Sequence, residues 1–486
     1  MTTPHALSAP HLASERCAHA RIRARRPARR TGAARFVSLL LGAALLLPGC
    51  RRDEPAAATE GTSTETTAEA PEGTAGTDAD GTDADDAATA AARLEADDAM
   101  EPRAVLEALG ATVVAGERLD YARMQRTRDE VLTLQARTTL DVQRAVRAAR
   151  RAGMGVRTRG RGHSMNGHTL ATADELLIQT SLMRSVCRAS DETVRIGAGV
   201  SVVHADRFLA RYGLRLRVRN DGPPGPSVGG YISAGGFGGA SPTWGGLWSQ
   251  VQRVELVDGT GEQRTLTPED EDFAWLFGSV GQLGVIVGAE LNVGPTAEDH
   301  GRPFPVGTCH EVALTDGEQS EGYAPIHYWW TLMVPDTRLE AAEAQLAAIR
   351  AGYEDRLPWL PLYRYAIPHR GIHAPLVTDV ADDVTATGIW VIVELEDLEA
   401  LQPLIQEVEQ AVSELAQREG YRRYLSAELT TGPDAWRANL GEETWSRFRA
   451  LKARLDPDAL FGRGLVFPYG TGDDTRPEGD APAGTR

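Results

Sequence analysis

The chain has 486 residues, enough for two or three domains at roughly 100–200 residues each. Apolar residues make up 42% and charged residues 24%, the balance of a globular protein, and the formal net charge is −17. No basic run follows the N-terminal segment, which argues against a nucleic-acid partner, because such binding is driven by phosphate neutralisation.

The first 50 residues hold eight Arg against one Glu. Residues 21–35 form a basic stretch and residues 36–47 a short apolar one, below the roughly 20 residues that span a bilayer as a helix. Leu47-Pro48-Gly49-Cys50 closes it and resembles a bacterial lipobox. Cys50 is therefore expected to be acylated, and the mature protein to be exported and lipid-anchored to the cell envelope. Residues 51–98 hold fourteen Asp/Glu against three Arg and almost no large apolar side chain, so a disordered acidic tether is expected there. The last sixteen residues, 471–486, read the same way. Cys187 and Cys309, the two cysteines beyond the leader and the lipobox, lie far apart, and the sequence leaves their pairing open.

From about residue 101 helix and strand signals alternate. The pattern predicts an amphipathic helix over 140–149 and strands over 154–159, 193–199 and 284–293. Residues 251–261 read as a strand running into a hairpin turn. After Pro295 the texture changes. Helices over 338–350 and 398–418 flank a strand-like run at 388–395, suggesting a second, α+β domain with a boundary near residue 297.

Three glycine-rich segments interrupt the first half. Arg159-Gly160-Arg161-Gly162-His163-Ser164-Met165-Asn166-Gly167-His168 directly follows a predicted strand. Its glycines let backbone N–H groups turn inward around an anion, and its arginines, Ser164 and Asn166 add donors suited to a pyrophosphate. It does not match the dinucleotide pattern G-x-G-x-x-G opening a helix. Pro226-Ser227-Val228-Gly229-Gly230 begins a second segment that runs through Ser233 and Phe237. Its glycines permit close approach to a flat ligand, with Val228, Ile232 and Phe237 as an apolar anchor. Gly281-Gln282-Leu283-Gly284-Val285-Ile286 enters the last strand of this half.

Together these three segments resemble the FAD-binding domain of the vanillyl-alcohol oxidase and p-cresol methylhydroxylase superfamily, with the cytokinin dehydrogenases as the nearest likeness. The resemblance covers about residues 125–295. It resumes at Trp445-x-x-Phe448-x-x-x-Lys452-x-x-x-Asp456-Pro457-x-x-Leu460, similar to the superfamily's C-terminal segment. It implies an α+β fold: a PCMH-type, two-subdomain FAD-binding domain at 99–297, a substrate domain at 298–430, and a returning segment at 431–470.

The resemblance further implies that His163 bonds covalently to the flavin 8α-methyl group. It makes Thr158, Gly160, Arg161, Gly162, Ser164, His168, Ser227, Ser233, Phe237 and Ile286 cofactor contacts, with Tyr424 a looser correspondence. Some relatives make a second flavin bond through a Cys, where this chain has Gly225, so a single link is expected. The family's substrate-amine base corresponds to Asp221, whose plainer role would be to cap a turn. The family's Ser-Pro-Gly-Gln near the C-terminus is replaced by Phe461-Gly462-Arg463-Gly464-Leu465, so its flavin-bonding glutamine is missing.

Three functions follow as expectations: oxidation of a cytokinin-like amine, oxidation of an alcohol or sugar on the same fold, or ligand binding without catalysis by a surface lipoprotein. Trp329, Trp330, Trp359, Tyr363 and Trp390 would favour a flat, apolar substrate. Electrons would pass to a quinone or to oxygen.

Overall fold

The computed structural model describes residues 84–123, 125–220, 225–296, 302–312, 325–357, 359–424 and 433–463. The expected leader, the lipidated Cys50, the base Asp221, Leu465 and the C-terminal tail lie outside these residues.

The expected tether does not extend to residue 98. Ala84–Asp98 is a helix, α1, followed by α2 at Pro102–Ala108. Composition missed α1 because little of it is buried. Leu94 and Asp97 turn inward, and the Asp97 carboxylate accepts from the buried guanidinium of Arg144. Arg151 donates to the carbonyls of Asp97, Asp98 and Met100 just beyond, tying the helix end down.

The first sheet contains β1 (Thr112–Val114), β4 (Val131–Gln135), β5 (Gly155–Arg159) and β6 (Glu175–Gln179) in the order β1-β4-β6-β5. Strands β4, β6 and β5 run parallel, and β2 (Arg118–Leu119) and β3 (Arg126–Thr127) form a small pair beside them. The crossover between β4 and β5 is α3, Thr139–Arg151. Thr138 caps it: its hydroxyl accepts from the Asp141 N–H, while the Asp141 side chain accepts from the Thr138 N–H. Its apolar stripe, Val142, Ala145, Val146 and Ala149, packs with Leu132, Leu134, Val156, Leu176 and Ile178 of the sheet.

The second sheet follows the order β11-β10-β12-β8-β7-β13, with β9 (Leu214–Leu216) on the far end of β12. Its strands are β7 (Ser185–Arg188), β8 (Thr193–Gly197), β10 (Val251–Val257), β11 (Gln263–Leu266), β12 (Val285–Pro295) and β13 (Cys309–Glu311). Helices α4 (Val202–Ala210), α5 (Val228–Ala234) and α6 (Ser241–Trp244) interrupt it. Cys187 and Cys309 stand directly opposite each other on β7 and β13 and are joined by a disulfide. The crosslink ties the chain leaving β12 back to this sheet.

The third sheet is antiparallel, in the order β15-β16-β14-β17: β14 is Ile326–Pro335, β15 Leu362–Ile367, β16 Val384–Val393 and β17 Arg422–Arg423. Helices α7 (Leu339–Ala351) and α8 (Leu398–Glu419) pack on its strands. Successive strand residues point to opposite faces, so Trp329 and Trp330 part company. Trp330 is fully buried, whereas Trp329 looks toward His163.

The last helical run, α9 (Pro433–Leu455), breaks at Gly441. Beyond it Phe461 pairs with Val156 as a parallel bridge on β5, and Val156 donates to the Leu460 carbonyl at 2.8 Å. The end of the described chain thus lies along the strand that leads into the histidine loop.

Candidate flavin site

Strand β5 ends at Arg159, and the chain then turns through Gly160, Arg161, Gly162 and His163. The turn is possible because Gly162 adopts φ +68°, a left-handed value that L side chains rarely take. Gly160 serves a different need. A Cβ there would lie 2.0 Å from Ser227 Oγ, so only glycine lets the first glycine-rich segment touch the second.

Ser227 is also the N-cap of α5, its Oγ accepting from the Gly230 N–H at 3.2 Å. The second segment is therefore a short helix closed by Gly235 in the left-handed conformation. At its end the Ser233 carbonyl accepts from the N–H groups of Gly278 and Val280, which joins the second segment to the third.

Arg161 is buried, and the Ser164 hydroxyl lies 3.4 Å from that of Thr169. Phe237 places its ring 5.0 Å from Tyr424, edge-on, and 5.8 Å from Tyr365 on β15. Ile286 sits on β12 opposite Leu256.

His163 is partly buried. Its ring lies 4.3 Å from that of Tyr121 and 6.1 Å from Trp329, both unconnected to it in sequence. Burial, followed by the neighbouring His327 and Arg161, pushes its pKa down to about 3, so the imidazole is neutral over the physiological range. His168 is buried 6.5 Å from the Trp436 ring and is likewise pushed down to about 3, by burial and then by Arg157.

Linkage turns the second shift into an expectation. A histidine held neutral when folded binds fewer protons than the unfolded chain between about pH 3 and 6.5. Its contribution to stability is full above that window and is lost as pH falls through it. At about 1.4 kcal/mol for each tenfold change in proton affinity, the His168 effect should reach a few kcal/mol. Unfolding midpoints at successive pH values should fall less steeply for His168→Gln than for the native chain; parallel slopes would contradict this.

The site's third wall is the β14–β16 face that carries Trp329. His327, Trp329 and Thr331 alternate along β14, Trp390 stands opposite Trp329, and Tyr363 and Tyr365 follow on β15. Trp390 packs 5.3 Å from Trp359 and 5.5 Å from His327, and the Thr331 and Tyr363 hydroxyls are bonded. On the opposite face Arg364 reaches Glu343 of α7. Of the five aromatic residues expected to meet a substrate, Trp330 is thus corrected: alternation puts it on the other face from Trp329. Tyr121, His327 and Tyr365 had no motif to mark them, and they are found only through their contacts with His163, Trp390 and Phe237.

Whether these residues suit FAD can be judged from the chain itself. Thr158 Oγ1 and His168 Nε2 are buried without a hydrogen-bond partner among the described residues. They flank a loop whose backbone lacks a Cβ where it meets the second segment. Buried polar groups left over beside a glycine cradle fit a polar, flat cofactor.

Comparison with known proteins agrees. Residues 132–267 match the family model described as FAD binding domain. D-arabinono-1,4-lactone oxidase of Eremothecium gossypii is 33% identical over 178 residues, 35% of this chain and 32% of that protein. Alditol oxidase of a Streptomyces species is 30% identical over 28% of this chain and 33% of that protein. Cytokinin dehydrogenase 5 of Arabidopsis thaliana is 25% identical over 37% of this chain and 35% of that protein. The chain spans about a third of the length of the curated relatives it matches. Residues 132–267 are thus similar to the FAD-binding domain of PCMH-type oxidoreductases, and the mixed sheets and helices of the described residues fit the α+β fold of that family.

Proposed function

We propose that this chain is an FAD-dependent oxidoreductase whose flavin is bound through a single covalent link to His163, with the substrate held against the Trp329 face of the third sheet. The observation that carries the reading is His163 itself: a neutral imidazole in a glycine turn, its ring 6.1 Å from that of Trp329 on the third sheet. A neutral ring nitrogen has the lone pair that bond formation to the flavin methyl requires. Bound FAD would supply the hydride acceptor. The chain's own part is to hold the cofactor through Thr158, Gly160, Arg161, Gly162, Ser164, His168, Ser227, Ser233, Phe237, Ile286 and Tyr424, and to cover the reacting carbon with apolar rings that exclude water.

The substrate is then a small molecule with an oxidisable carbon bearing an amine, for which Asp221 is the proposed base. A second reading, an alcohol-bearing carbon, is favoured by the lactone and alditol oxidases among the relatives. The electron acceptor is oxygen or a quinone. Export and anchoring through Cys50 complete the proposal, and the Cys187–Cys309 disulfide supports it, because such bonds persist in oxidising compartments.

The test is acid precipitation of the full chain with and without His163→Ala. Yellow flavin should stay with the native pellet and move to the supernatant in the variant. Flavin that washes from the native pellet would remove the covalent link while leaving an FAD protein. A folded, FAD-supplied chain that binds no flavin would remove the oxidoreductase reading.

A further inference from the structure

Residues 120–123 form a tight turn that lies over the histidine loop, although Tyr121 and His163 are 42 positions apart in the sequence. The turn is built from the inside. Asp120 is fully buried, its carbonyl accepts from the Arg123 N–H at 3.1 Å, and Arg123 takes a left-handed φ of 58°. That conformation is uncommon for a residue with a side chain and persists where its surroundings impose it.

Two bonds fix the turn to the site. The Tyr121 N–H donates to the Ser164 carbonyl at 2.9 Å, gripping the chain immediately after His163. From the other side, the Tyr328 hydroxyl on β14 donates to the Ala122 carbonyl. Held between these bonds, Tyr121 is 96% buried, and its ring lies on the imidazole at 4.3 Å, tilted by 44°. Trp329, the residue after Tyr328, stands 5.7 Å from Tyr121 and 6.1 Å from His163. The ring packed on the histidine and the strand that fastens its turn are thus both supplied by the protein.

We propose that Tyr121 is a positioning residue for flavin attachment: its ring, on a backbone held by the Ser164 carbonyl and the Tyr328 hydroxyl, aims the His163 imidazole at the flavin methyl. The inference rests on the covalent link proposed above. In that reaction one imidazole N–H and one methyl C–H bond break and one N–C bond forms. The two electrons and two protons released reduce one dioxygen to hydrogen peroxide. In that reaction Tyr121 takes no proton and makes no covalent bond; it restricts the rotation of the imidazole. Its hydroxyl is therefore dispensable and its ring is not.

The experiment measures total flavin and acid-stable flavin in the full chain, as native protein, Tyr121→Phe, Tyr121→Leu and Tyr121→Ala, during incubation with added FAD under air. The native chain and Tyr121→Phe should reach the same covalent fraction at the same rate. Tyr121→Leu and Tyr121→Ala should bind FAD yet attach it more slowly, by up to about 100-fold, the scale that an ångström of misplacement costs. Wild-type attachment rates in both ringless variants would overturn the proposal, as would a Phe variant as slow as Ala. Should Tyr121→Ala fail to fold, Tyr121→Leu, which keeps the site filled, decides by the same rates. Absence of acid-stable flavin from the native chain is the distinct result that removes the covalent link itself, and this inference with it.

Discussion

Gly160→Ala should give a folded protein that has lost most of its flavin, with the flavin-to-protein absorbance ratio reduced about tenfold or more. The added methyl would lie 2.0 Å from Ser227 Oγ and 2.9 Å from Ser227 Cβ, distances no packed carbon tolerates. Ser227 cannot simply rotate away, because its Oγ caps α5 through the Gly230 N–H, a contact whose loss costs about 1 kcal/mol. The two glycine-rich segments must separate instead, at the place where they are proposed to meet the cofactor. Overpacking of this kind costs about 1–3 kcal/mol, so the fold survives while the cradle opens. Combining Gly160→Ala with Ser227→Gly removes the clashing side chain and should restore part of the flavin. Native flavin content in Gly160→Ala alone would show that this approach does not face the cofactor.

Lys452→Met should lower the unfolding free energy by about 3–5 kcal/mol, the cost of stripping one partner from a buried ion pair. Lys452 Nζ donates to Asp456 Oδ2 at 2.8 Å, to the Gln282 carbonyl at 3.0 Å and to the Phe461 carbonyl at 3.1 Å, and both side chains are buried. Asp456 in turn accepts from the N–H groups of Leu460 and Phe461. One ammonium thus fastens α9 and the strand beside β5 to the turn that enters β12. Removing it leaves a buried carboxylate and two carbonyls with one donor fewer. Urea unfolding should show a lower midpoint with an unchanged slope. Pairing Lys452→Met with Asp456→Asn should recover part of the loss, because no bare charge then remains. An unfolding free energy within about 0.5 kcal/mol of native in the single variant, the scatter ordinary for surface changes, would refute the assignment.

Much of the secondary structure was legible before any coordinates. The stripe at Val142, Val146 and Ala149 announces α3, and the apolar runs into Val257 and Val293 announce β10 and β12, because these patterns report which face is buried. The glycine segment at 226–239 was less legible: it forms α5 as a capped helix, since Ser227 can satisfy a free N–H that composition does not reveal. Residues 84–98 were misread for a related reason. A helix held by one buried leucine and by arginines of α3 on Asp97 and Asp98 leaves little compositional trace.

The sequence by itself determined the family likeness, the glycine cradle and the histidine within it, since positive-φ turns and close backbone approach demand glycine and so write themselves into the residues. Tertiary structure alone decided what surrounds that histidine. Tyr121 and Trp329 come from segments far apart in the chain, and the faces to which Trp329 and Trp330 turn depend on how the third sheet is laid against the histidine loop. Neither leaves a local signal, because a contact between distant segments constrains each only to be a side chain of suitable size and polarity.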